Sequence, residues 1–214
     1  MLRAVIFDMD GVIVDTMDLH FEAEQEVLRA HGVHIEMTEL LKTSGMSSFE
    51  GIKKVSNKQD SEVSAMVAKK YAQLISKTRG IKPIPGFLEF FYLLKKHNVP
   101  LGLFSSSDRR FVEHILSELG INGSFKVIVC GNEVSQAKPS PEGYLKAAKL
   151  LNVSPSECVV VEDSVHGIMS AKSAGMKIVG VTNTKDRNFL LDADLIVDSL
   201  SELSIKNIGA LFSA

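Results

Sequence analysis

The sequence predicts an α/β fold in which a Rossmann-like parallel sheet forms the core and a small helical unit follows the first strand. Short apolar runs that end abruptly in polar or acidic residues are typical of strands buried on both faces. Helical patterns lie between these runs, and such alternation favours a parallel sheet covered on both sides. Residues 16–80 break the alternation, because they contain successive amphipathic helices and no convincing strand.

Each element follows from a local pattern. The predicted strands are the apolar runs at residues 4–7, 101–104, 127–129, 159–161, 177–181 and 195–197. Core helices are predicted over residues 86–97 and 109–119, and inserted helices over residues 18–31, 37–43, 48–55 and 61–78. Pro83, Pro85 and Gly86 mark the return from the insertion, because these residues stop a helix and set a turn. We therefore predict a core domain of residues 1–15 and 82–214 and a helical cap domain of residues 16–81.

Composition limits the partners and the location. The chain has 214 residues, of which 45% are hydrophobic and 23% charged, and its formal net charge is -2. Without a basic excess, neither a nucleic acid nor an anionic membrane is an expected partner. Cys130 and Cys158 lack CxxC spacing and fit reduced thiols. We expect a cytoplasmic monomer, and we expect the lysine pairs, Lys69 and Lys70 among them, to lie on solvated helix faces.

Two aspartates follow the first predicted strand. Asp8 and Asp10 come at the end of the run at residues 4–7, and Gly11 follows them. Ligands of a parallel α/β sheet gather at the carboxyl ends of strands, and residues two apart on an extended chain face the same way. Both carboxylates could therefore address one substrate or metal ion. Two turn-forming aspartates are the alternative, and this short motif does not decide between them.

Glu162 and Asp163 form a second acidic pair, directly after the run at residues 159–161. If this pair met Asp8 and Asp10, the four carboxylates would repel one another unless a cation lay among them. Oxygen ligands of this kind suit magnesium where phosphate is also present. Capping of the next helix would explain Asp163 alone, but not the convergence of both pairs.

A serine run and a lysine are the remaining polar candidates. Ser105 and Ser106 follow the run at residues 101–104, and Lys138 precedes Pro139. Hydroxyl and free N–H groups at a strand-to-helix turn can bind a phosphate group. A serine run is also an ordinary helix N-cap, and a lone lysine usually lies on the surface. Their order between the two acidic pairs is what makes them candidates for one site.

With these four motifs in this order, the sequence resembles the haloacid dehalogenase-like hydrolase superfamily. The matching segments are residues 8–16 (DMDGVIVDT), Ser105, Lys138 with the prolines that follow it, and residues 160–167 (VVEDSVHG). The resemblance covers essentially the whole chain. The helical insertion is similar to the small cap of the branch that includes phosphosugar phosphatases and β-phosphoglucomutase.

The resemblance implies a role for each acidic residue. Asp8 would be the nucleophile that forms an aspartyl-phosphate intermediate, and Asp10 would be the general acid and base. Mg²⁺ would be held by Asp8, the backbone carbonyl of Asp10, and Asp163. Glu162 would be a nearby acid of the metal site.

The same resemblance implies how phosphate is bound. Ser105 and the amide of Ser106 would bind the transferring phosphoryl oxygens, and Lys138 would neutralise their charge beside Asp8. These contacts suit phosphoryl transfer, in which positioning and charge stabilisation do most of the work. The cap would close over the site and select the leaving group.

His20 and the stretch at Gly45 are the candidate substrate contacts of the insertion. His20 is similar in position to a histidine of the mutase and of several sugar-phosphate phosphatases, although packing against the core is an equal alternative. The stretch at residues 45–49 has serine where the mutase carries an arginine that grips the distal phosphate. Asp108 stands where the mutase has a lysine, and Arg109 follows it. Both departures favour a phosphatase.

We therefore expect a magnesium-dependent phosphatase that acts on a small phosphorylated metabolite, with a sugar phosphate favoured. The alternative within the same chemistry is β-phosphoglucomutase. The alternative from a different class is a non-catalytic metabolite-binding domain.

Overall fold

A six-stranded parallel sheet forms the centre of the molecule. The computed structural model describes residues 1–43 and 46–213. The strands are β1 (Ala4–Phe7), β2 (Leu101–Ser105), β3 (Val127–Cys130), β4 (Cys158–Glu162), β5 (Lys177–Val181) and β6 (Leu195–Val197). Their order is β3-β2-β1-β4-β5-β6, and every neighbouring pair is parallel. The predicted α/β class is confirmed, and the strand order places its switch point beside β1, where such folds bind ligands.

The helices follow the predicted alternation with a few differences. They are α1 (Met17–Ala30), α2 (Met37–Leu40), α3 (Ser48–Ser56), α4 (Asp60–Lys77), α5 (Phe87–Lys96), α6 (Arg109–Glu118), α7 (Glu142–Leu151), α8 (Val165–Ser173) and α9 (Ile205–Ala210). The helix predicted over residues 37–43 stops at Leu40 and continues as a 3₁₀ turn over Leu41–Thr43. Among the helices of the described residues, none is long and apolar enough to cross a membrane.

The two faces of the sheet are covered by different helices. Val5 and Phe7 of β1 point into an apolar cluster that also contains Phe91 of α5 and Phe111 of α6. Alternate residues of the same strand, such as Ile6, point into a second cluster that contains residues of α7 and α8. Because successive side chains of a strand face opposite sides, burial on both faces requires continuously apolar strands, which is the pattern in the sequence.

The four inserted helices have an apolar cluster of their own. Its buried members come from α1, α2, α3 and α4: Phe21, Val27, Leu28, Leu40, Ile52, Val63 and Met66. Tyr71 and Leu74 of α4 belong instead to the cluster that lies against the sheet. The insertion therefore has an internal core and one face packed on the sheet unit. The domain boundaries after residues 15 and 81 stay a prediction.

The packing of α7 on β2 gives a test of the fold. An added Cβ at Gly143 of α7 would lie 2.0 Å from the ring of Phe104. We expect Gly143→Ala to lower the free energy of unfolding by about 1–3 kcal/mol, because the ring has to move within a close-packed core. Urea unfolding measures the change.

Gly209→Ala is the matched control. Gly209 lies in helix α9, and an added Cβ there would meet nothing within 4 Å. Alanine is the better helix former by roughly 0.5–1 kcal/mol, so this variant should be at least as stable as the parent. Equal stability of the two variants would show that Gly143 is not packed as described.

Candidate active site

The carboxyl edge of the sheet brings the predicted polar residues together. Asp8 follows β1, and its backbone N–H donates to the Val161 carbonyl of β4 over 3.0 Å. Ser105 and Glu162, predicted just after their strands, are the last residues of β2 and β4, because the parallel ladder continues to pair them with Cys130 and Gly180. Acidic and hydroxyl groups from three neighbouring strands therefore meet at one edge.

Lys138 is the cation at the centre of this edge. Its buried ammonium donates to Asp8 Oδ1 over 2.5 Å and to Glu162 Oε1 over 2.6 Å. The ring centroids of Phe104 and Tyr144 lie 4.8 and 5.2 Å from the same nitrogen. Two carboxylates and two aromatic rings thus fix the position of the ammonium. Burial alone would lower the pKa of Lys138, but the two carboxylates outweigh it, and the pKa is raised.

Glu162 is the structural partner of Lys138. The Tyr144 hydroxyl donates to Glu162 Oε1 over 3.0 Å. The second oxygen, Oε2, accepts from the backbone N–H groups of Asp163 and Ser164 and from the Ser164 hydroxyl, each over 2.9 Å. Burial raises the pKa of Glu162, but Lys138 and these hydrogen bonds outweigh it and hold the pKa below its usual value. Both Glu162 oxygens therefore have partners, and its assignment to the metal-binding set stays a prediction.

Asp8 has a different electrostatic environment. Burial raises its pKa well above the usual value, Lys138 opposes this, and the charges of Glu162, Asp163 and Asp10 add to it. One ammonium shared by two carboxylates does not neutralise this group of acids. The edge of the sheet therefore carries excess negative charge next to Asp8.

Asp10 is held as a carboxylate by the elements around it. Thr16 donates to its Oδ1 over 2.5 Å, and His20 Nε2 lies 3.2 Å from the same oxygen. Its Oδ2 accepts from the hydroxyls of Ser105 and Ser107 over 3.1 and 3.0 Å. Burial raises the pKa of Asp10, but His20 and the hydrogen bonds from Thr16 and Ser107 outweigh it and lower the pKa below its usual value. The side chain thus faces the serines and the insertion, and both of its oxygens have partners.

The serine run divides into inner and outer residues. Ser105 is fully buried, and its Oγ accepts from the Ser107 amide over 3.0 Å while donating to Asp10. Ser106 and Ser107 line the cavity described below. In this arrangement the Ser105 hydroxyl positions Asp10, and the groups that face a ligand belong to the two serines that follow.

Asp163 lies next to the turn that follows β1, close to Gly11. Gly11 has a φ of +89°, and an added Cβ there would lie 2.0 Å from Asp163 Oδ2. A residue with a side chain would therefore block this approach as well as strain the turn. The Thr184 hydroxyl donates to the same oxygen of Asp163. Burial and the charge of Glu162 raise the pKa of Asp163 to about 7, although the bond from Thr184 lowers it.

Only part of the predicted set of oxygen ligands fits a hard cation such as Mg²⁺. The described residues contain no group of three or more His, Cys, Asp or Glu side chains arranged to hold a metal ion. Because Glu162 and the Asp10 side chain are otherwise engaged, the carboxylates that remain are Asp8 and Asp163. Two carboxylates, one carbonyl and water are the kind of set that Mg²⁺ accepts, and the excess negative charge favours a cation.

The inserted helices cover the active-site edge of the sheet. The His20 ring packs edge-on against Phe111 and Tyr71, with centroids 5.3 and 6.2 Å apart, so this histidine both contacts Asp10 and packs against the core. The Tyr71 hydroxyl hydrogen-bonds with Ser48 over 3.0 Å, and the Tyr71 ring packs against Phe111 of α6 with centroids 5.8 Å apart. Helix α4 is thereby joined to the sheet unit beside the active-site edge. Gly45, predicted to contact substrate, lies outside the described residues.

A cavity of about 390 Å³ lies between the sheet edge and the inserted helices. Its lower wall includes Asp8, Asp10, Lys138 and Asp163, and its upper wall includes Glu24 and Lys70. Lys70 was predicted to be solvated as part of a surface lysine pair. This prediction is wrong, because its side chain is 2% exposed and its ammonium lies 2.6 Å from Glu24.

Several residues of the site had little or no signal in the sequence. Ser107 belongs to the serine run, so that run could have identified it. Thr184 lies on the loop after β5, outside any motif. Tyr144 occupies a position of α7 whose pattern indicates only an ordinary apolar core residue. Tyr71 and Lys70 lie on α4, where polar residues usually face solvent. Only the packing of distant segments brings these side chains to the site.

Comparison with known proteins agrees with this geometry. A family model described as haloacid dehalogenase-like hydrolase matches residues 5–181, and the chain belongs to this family. It is 33% identical over 213 residues to validoxylamine A 7'-phosphate phosphatase of Streptomyces hygroscopicus subsp. limoneus, covering 98% of this chain and 99% of that protein. It is 36% identical over 217 residues to β-phosphoglucomutase of Bacillus subtilis (strain 168), covering 96% and 93%.

A solved structure extends the comparison to the fold. The crystal structure of β-phosphoglucomutase from Clostridium difficile superposes with a TM-score of 0.89 at 30% identity and covers 100% of this chain and 98% of that one. The predicted superfamily and fold are confirmed. The prediction of an enzyme is also confirmed, and the phosphatase among these relatives supports the class of phosphoric monoester hydrolases.

The raised pKa of Asp163 predicts how stability varies with pH. In the cation-free folded protein this pKa is about 7, and in the unfolded chain it is about 3.9. The folded state therefore binds the proton more tightly, and the stability that this contributes below the lower pKa is lost as the pH rises through the upper one. We expect Asp163→Asn to raise the melting temperature at pH 8 in the presence of a chelator.

The gain should shrink as the pH falls towards 4, where Asp163 is protonated in the folded state and about half protonated in the unfolded chain. Asp192→Asn is the control, because that side chain is 64% exposed and bonded to Lys172 at the surface. Thermal melts of the three proteins at several pH values measure the effect. A gain in the Asp163 variant that is independent of pH would contradict the raised pKa.

Proposed function

We propose that the protein is a magnesium-dependent phosphatase that hydrolyses a small phosphorylated metabolite through an aspartyl-phosphate intermediate. The observation that carries the proposal is the contrast between Asp8 and Asp10. Asp8 lies beside the Lys138 ammonium at 2.5 Å, whereas Asp10 contacts Thr16, His20 and the serines. The Lys138 ammonium favours the ionised form of Asp8 that a nucleophile needs, and the separate contacts of Asp10 leave it to act as the acid and base.

In the first half of the reaction Asp8 is the nucleophile. Its carboxylate oxygen attacks phosphorus, and the bond from phosphorus to the leaving oxygen breaks. Asp10 takes up a proton from solvent when substrate enters and the contacts of Thr16 and His20 with its carboxylate loosen, and it gives this proton to the leaving oxygen. Lys138, together with Ser106 and Ser107 on the cavity wall, stabilises the charge on the phosphoryl oxygens.

In the second half Asp10 is the base. As a carboxylate with a lowered pKa it takes a proton from water, and the water oxygen attacks phosphorus. The bond between phosphorus and Asp8 breaks, and phosphate leaves. Asp8 is then free again, and Asp10 releases its proton to solvent when its contacts with Thr16 and His20 form again. Ser105, which donates to Asp10, is a positioning residue in this scheme.

Asp8, Asp163 and the backbone carbonyl of Asp10 would hold Mg²⁺. When bound, the ion would supply positive charge next to the phosphoryl oxygens, where phosphoryl transfer needs it. Support comes from the excess negative charge around Asp8 and Asp163 described above. Glu162 would act on this site through Lys138, as a positioning residue.

The inserted helices would act as a cap that excludes water and selects the leaving group. Support comes from the cavity of about 390 Å³ between these helices and the sheet edge, a size that suits a small metabolite. His20 would contact substrate or guide Asp10. A sugar phosphate fits the hydroxyl-rich upper wall, which includes Thr43, Ser47 and Ser48.

β-Phosphoglucomutase is the second candidate, because two relatives carry that name. A mutase needs a fixed cation in the cap to hold the phosphate that is not reacting. Lys42 pairs with Glu39 at the surface, and Lys77 pairs with Glu26. Arg109 is bound by Glu133, away from the cavity. These three cations are thus engaged away from the cavity. Lys70 of the insertion does line the cavity, but Glu24 balances its charge, which favours the phosphatase.

A non-catalytic metabolite-binding domain is a weaker alternative. Binding alone would not require a carboxylate nucleophile, an activating ammonium and a second carboxylate held as a base. Asp8, Lys138 and Asp10 supply these three groups within one cavity.

Replacement of the nucleophile tests the proposed reaction. We expect Asp8→Asn to lower kcat for phosphate release at least about 100-fold, equivalent to about 2.7 kcal/mol of barrier, because an amide does not attack phosphorus. Phosphate release with and without Mg²⁺ measures the effect, and Asp60→Asn, an exposed acid of α4, is the control. Activity of Asp8→Asn within tenfold of the parent would exclude Asp8 as the nucleophile.

Product analysis separates the phosphatase from the mutase. We expect inorganic phosphate to be released from monophosphates, with little interconversion of glucose 1-phosphate and glucose 6-phosphate even when a bisphosphate primer is supplied. The reason is that the cap offers hydroxyls but no free cation of the kind discussed above. Rapid interconversion with negligible phosphate release would favour the mutase instead.

A further inference from the structure

A buried ion pair lies on the wall of the cavity opposite the reacting aspartates. Lys70 of α4 and Glu24 of α1 are 2% and 5% exposed, and the Lys70 ammonium donates to Glu24 Oε2 over 2.6 Å. Both residues line the cavity. None of the steps derived above uses either of them.

The hydrogen-bonding capacity of this pair is incompletely used. Lys70 also donates to the Ser48 hydroxyl over 2.9 Å, so two of its three N–H donors have partners within the described chain. Glu24 Oε1 is buried, and no residue that the structure describes hydrogen-bonds to it. A buried oxygen without a partner is destabilising. A ligand with both donor and acceptor groups would satisfy this wall.

The wall has room for such a group beside Gly51 of α3, which also lines the cavity. An added Cβ at Gly51 would lie 3.3 Å from Glu24 Oε1 and 3.3 Å from the Thr43 Cβ. Glycine at this position therefore keeps a side chain away from the unpaired oxygen. A hydroxyl group, which is both donor and acceptor, is the smallest group that suits this space.

A purely structural role explains the pair poorly. Burying two charges costs desolvation energy, and an apolar pair of similar size usually stabilises a fold equally well. Helices α1 and α4 are already joined at the surface by a second ion pair, between Glu26 of α1 and Lys77, which lies two turns beyond Lys70 on α4. The pair is also neutral overall, because Glu24 balances Lys70, and so it offers no surplus positive charge to a second phosphate.

We propose that the Lys70–Glu24 pair, with Gly51 beside it, selects the leaving group by hydrogen-bonding the hydroxyls of an uncharged, polyhydroxylated molecule. The substrate class is then the monophosphates of polyols and sugars, and bisphosphates are disfavoured. This inference rests on the proposed phosphatase activity, which fixes the phosphate of the substrate at Asp8. Lys70 and Glu24 are specificity-determining residues and take no part in bond breaking.

The test compares substrates that share a phosphate and differ in the leaving group. The probes are a panel of hexitol, hexose and pentose monophosphates and p-nitrophenyl phosphate, whose leaving group bears no further hydroxyl. In the parent enzyme we expect kcat/KM for the best panel member to exceed that for p-nitrophenyl phosphate. If only the aromatic ester is hydrolysed, the phosphatase proposal holds and the inference about the leaving group is wrong.

The variants are Lys70→Met/Glu24→Gln, which leaves no unpaired buried charge, and Gly51→Ala, which narrows the space beside Glu24. In both, the ratio of kcat/KM for the best panel member to that for p-nitrophenyl phosphate should fall at least tenfold. Lys77→Met is the matched control, because it breaks an ion pair between the same two helices outside the cavity, and its ratio should stay within twofold of the parent. Equal losses on both substrates would assign the pair a structural role and overturn the inference.

Binding separates this inference from the reaction itself. In an Asp8→Asn background, calorimetry with the panel monophosphates and with inorganic phosphate reports recognition without turnover. We expect Gly51→Ala and the double replacement to weaken binding of the best panel member at least tenfold while inorganic phosphate is affected less. Unchanged relative affinities would refute the role of the pair, even if the parent hydrolyses none of the esters.

Discussion

The ammonium of Lys138, shared between Asp8 and Glu162, is the interaction on which the polar edge of the sheet depends. Carboxylates at the ends of adjacent strands repel one another, and burial strengthens this repulsion. Lys138 lowers the pKa of both carboxylates; together with hydrogen bonds it outweighs burial at Glu162, but it does not outweigh burial at Asp8. Because Glu162 also receives hydrogen bonds from Tyr144 and from the turn that follows it, the ammonium is held in one place. The charge that remains around Asp8 and Asp163 is what makes the site suited to a cation and a phosphoryl group.

The contacts that build this edge also connect it to the inserted helices. Asp10 is hydrogen-bonded to Thr16, where the insertion begins, and to Ser107, and it contacts His20 of α1. A movement of these helices therefore changes the partners of Asp10. In the proposed reaction, this links the protonation of the second carboxylate to closure of the cavity. The wall formed by Lys70 and its neighbours lies on the same helices, so recognition of the leaving group and closure involve the same unit.

The fold and the residue types of the site could be predicted from the sequence, because both depend on local patterns. Continuous apolar runs identify strands buried on both faces, and the polar residues that end them must lie at the carboxyl edge of a parallel sheet. Asp8, Asp10, Lys138 and Asp163 could therefore be selected before any contact was known. The interruption of the alternation after the first strand likewise predicted the helical insertion.

The tertiary structure decided which of these groups meet. The expectation that Glu162 lies near a metal ion stays a prediction. Its contacts with Lys138, with α7 and with the turn after β4 depend on segments distant from or outside its own strand. Lys70 was expected in solvent, because a lysine pair on an amphipathic helix gives no sign that Glu24, 46 residues earlier, will face it. Thr184 had no signal at all. Local patterns determine where a side chain leaves the backbone, whereas the partner that fixes its charge and orientation comes from a distant segment and is defined only by packing.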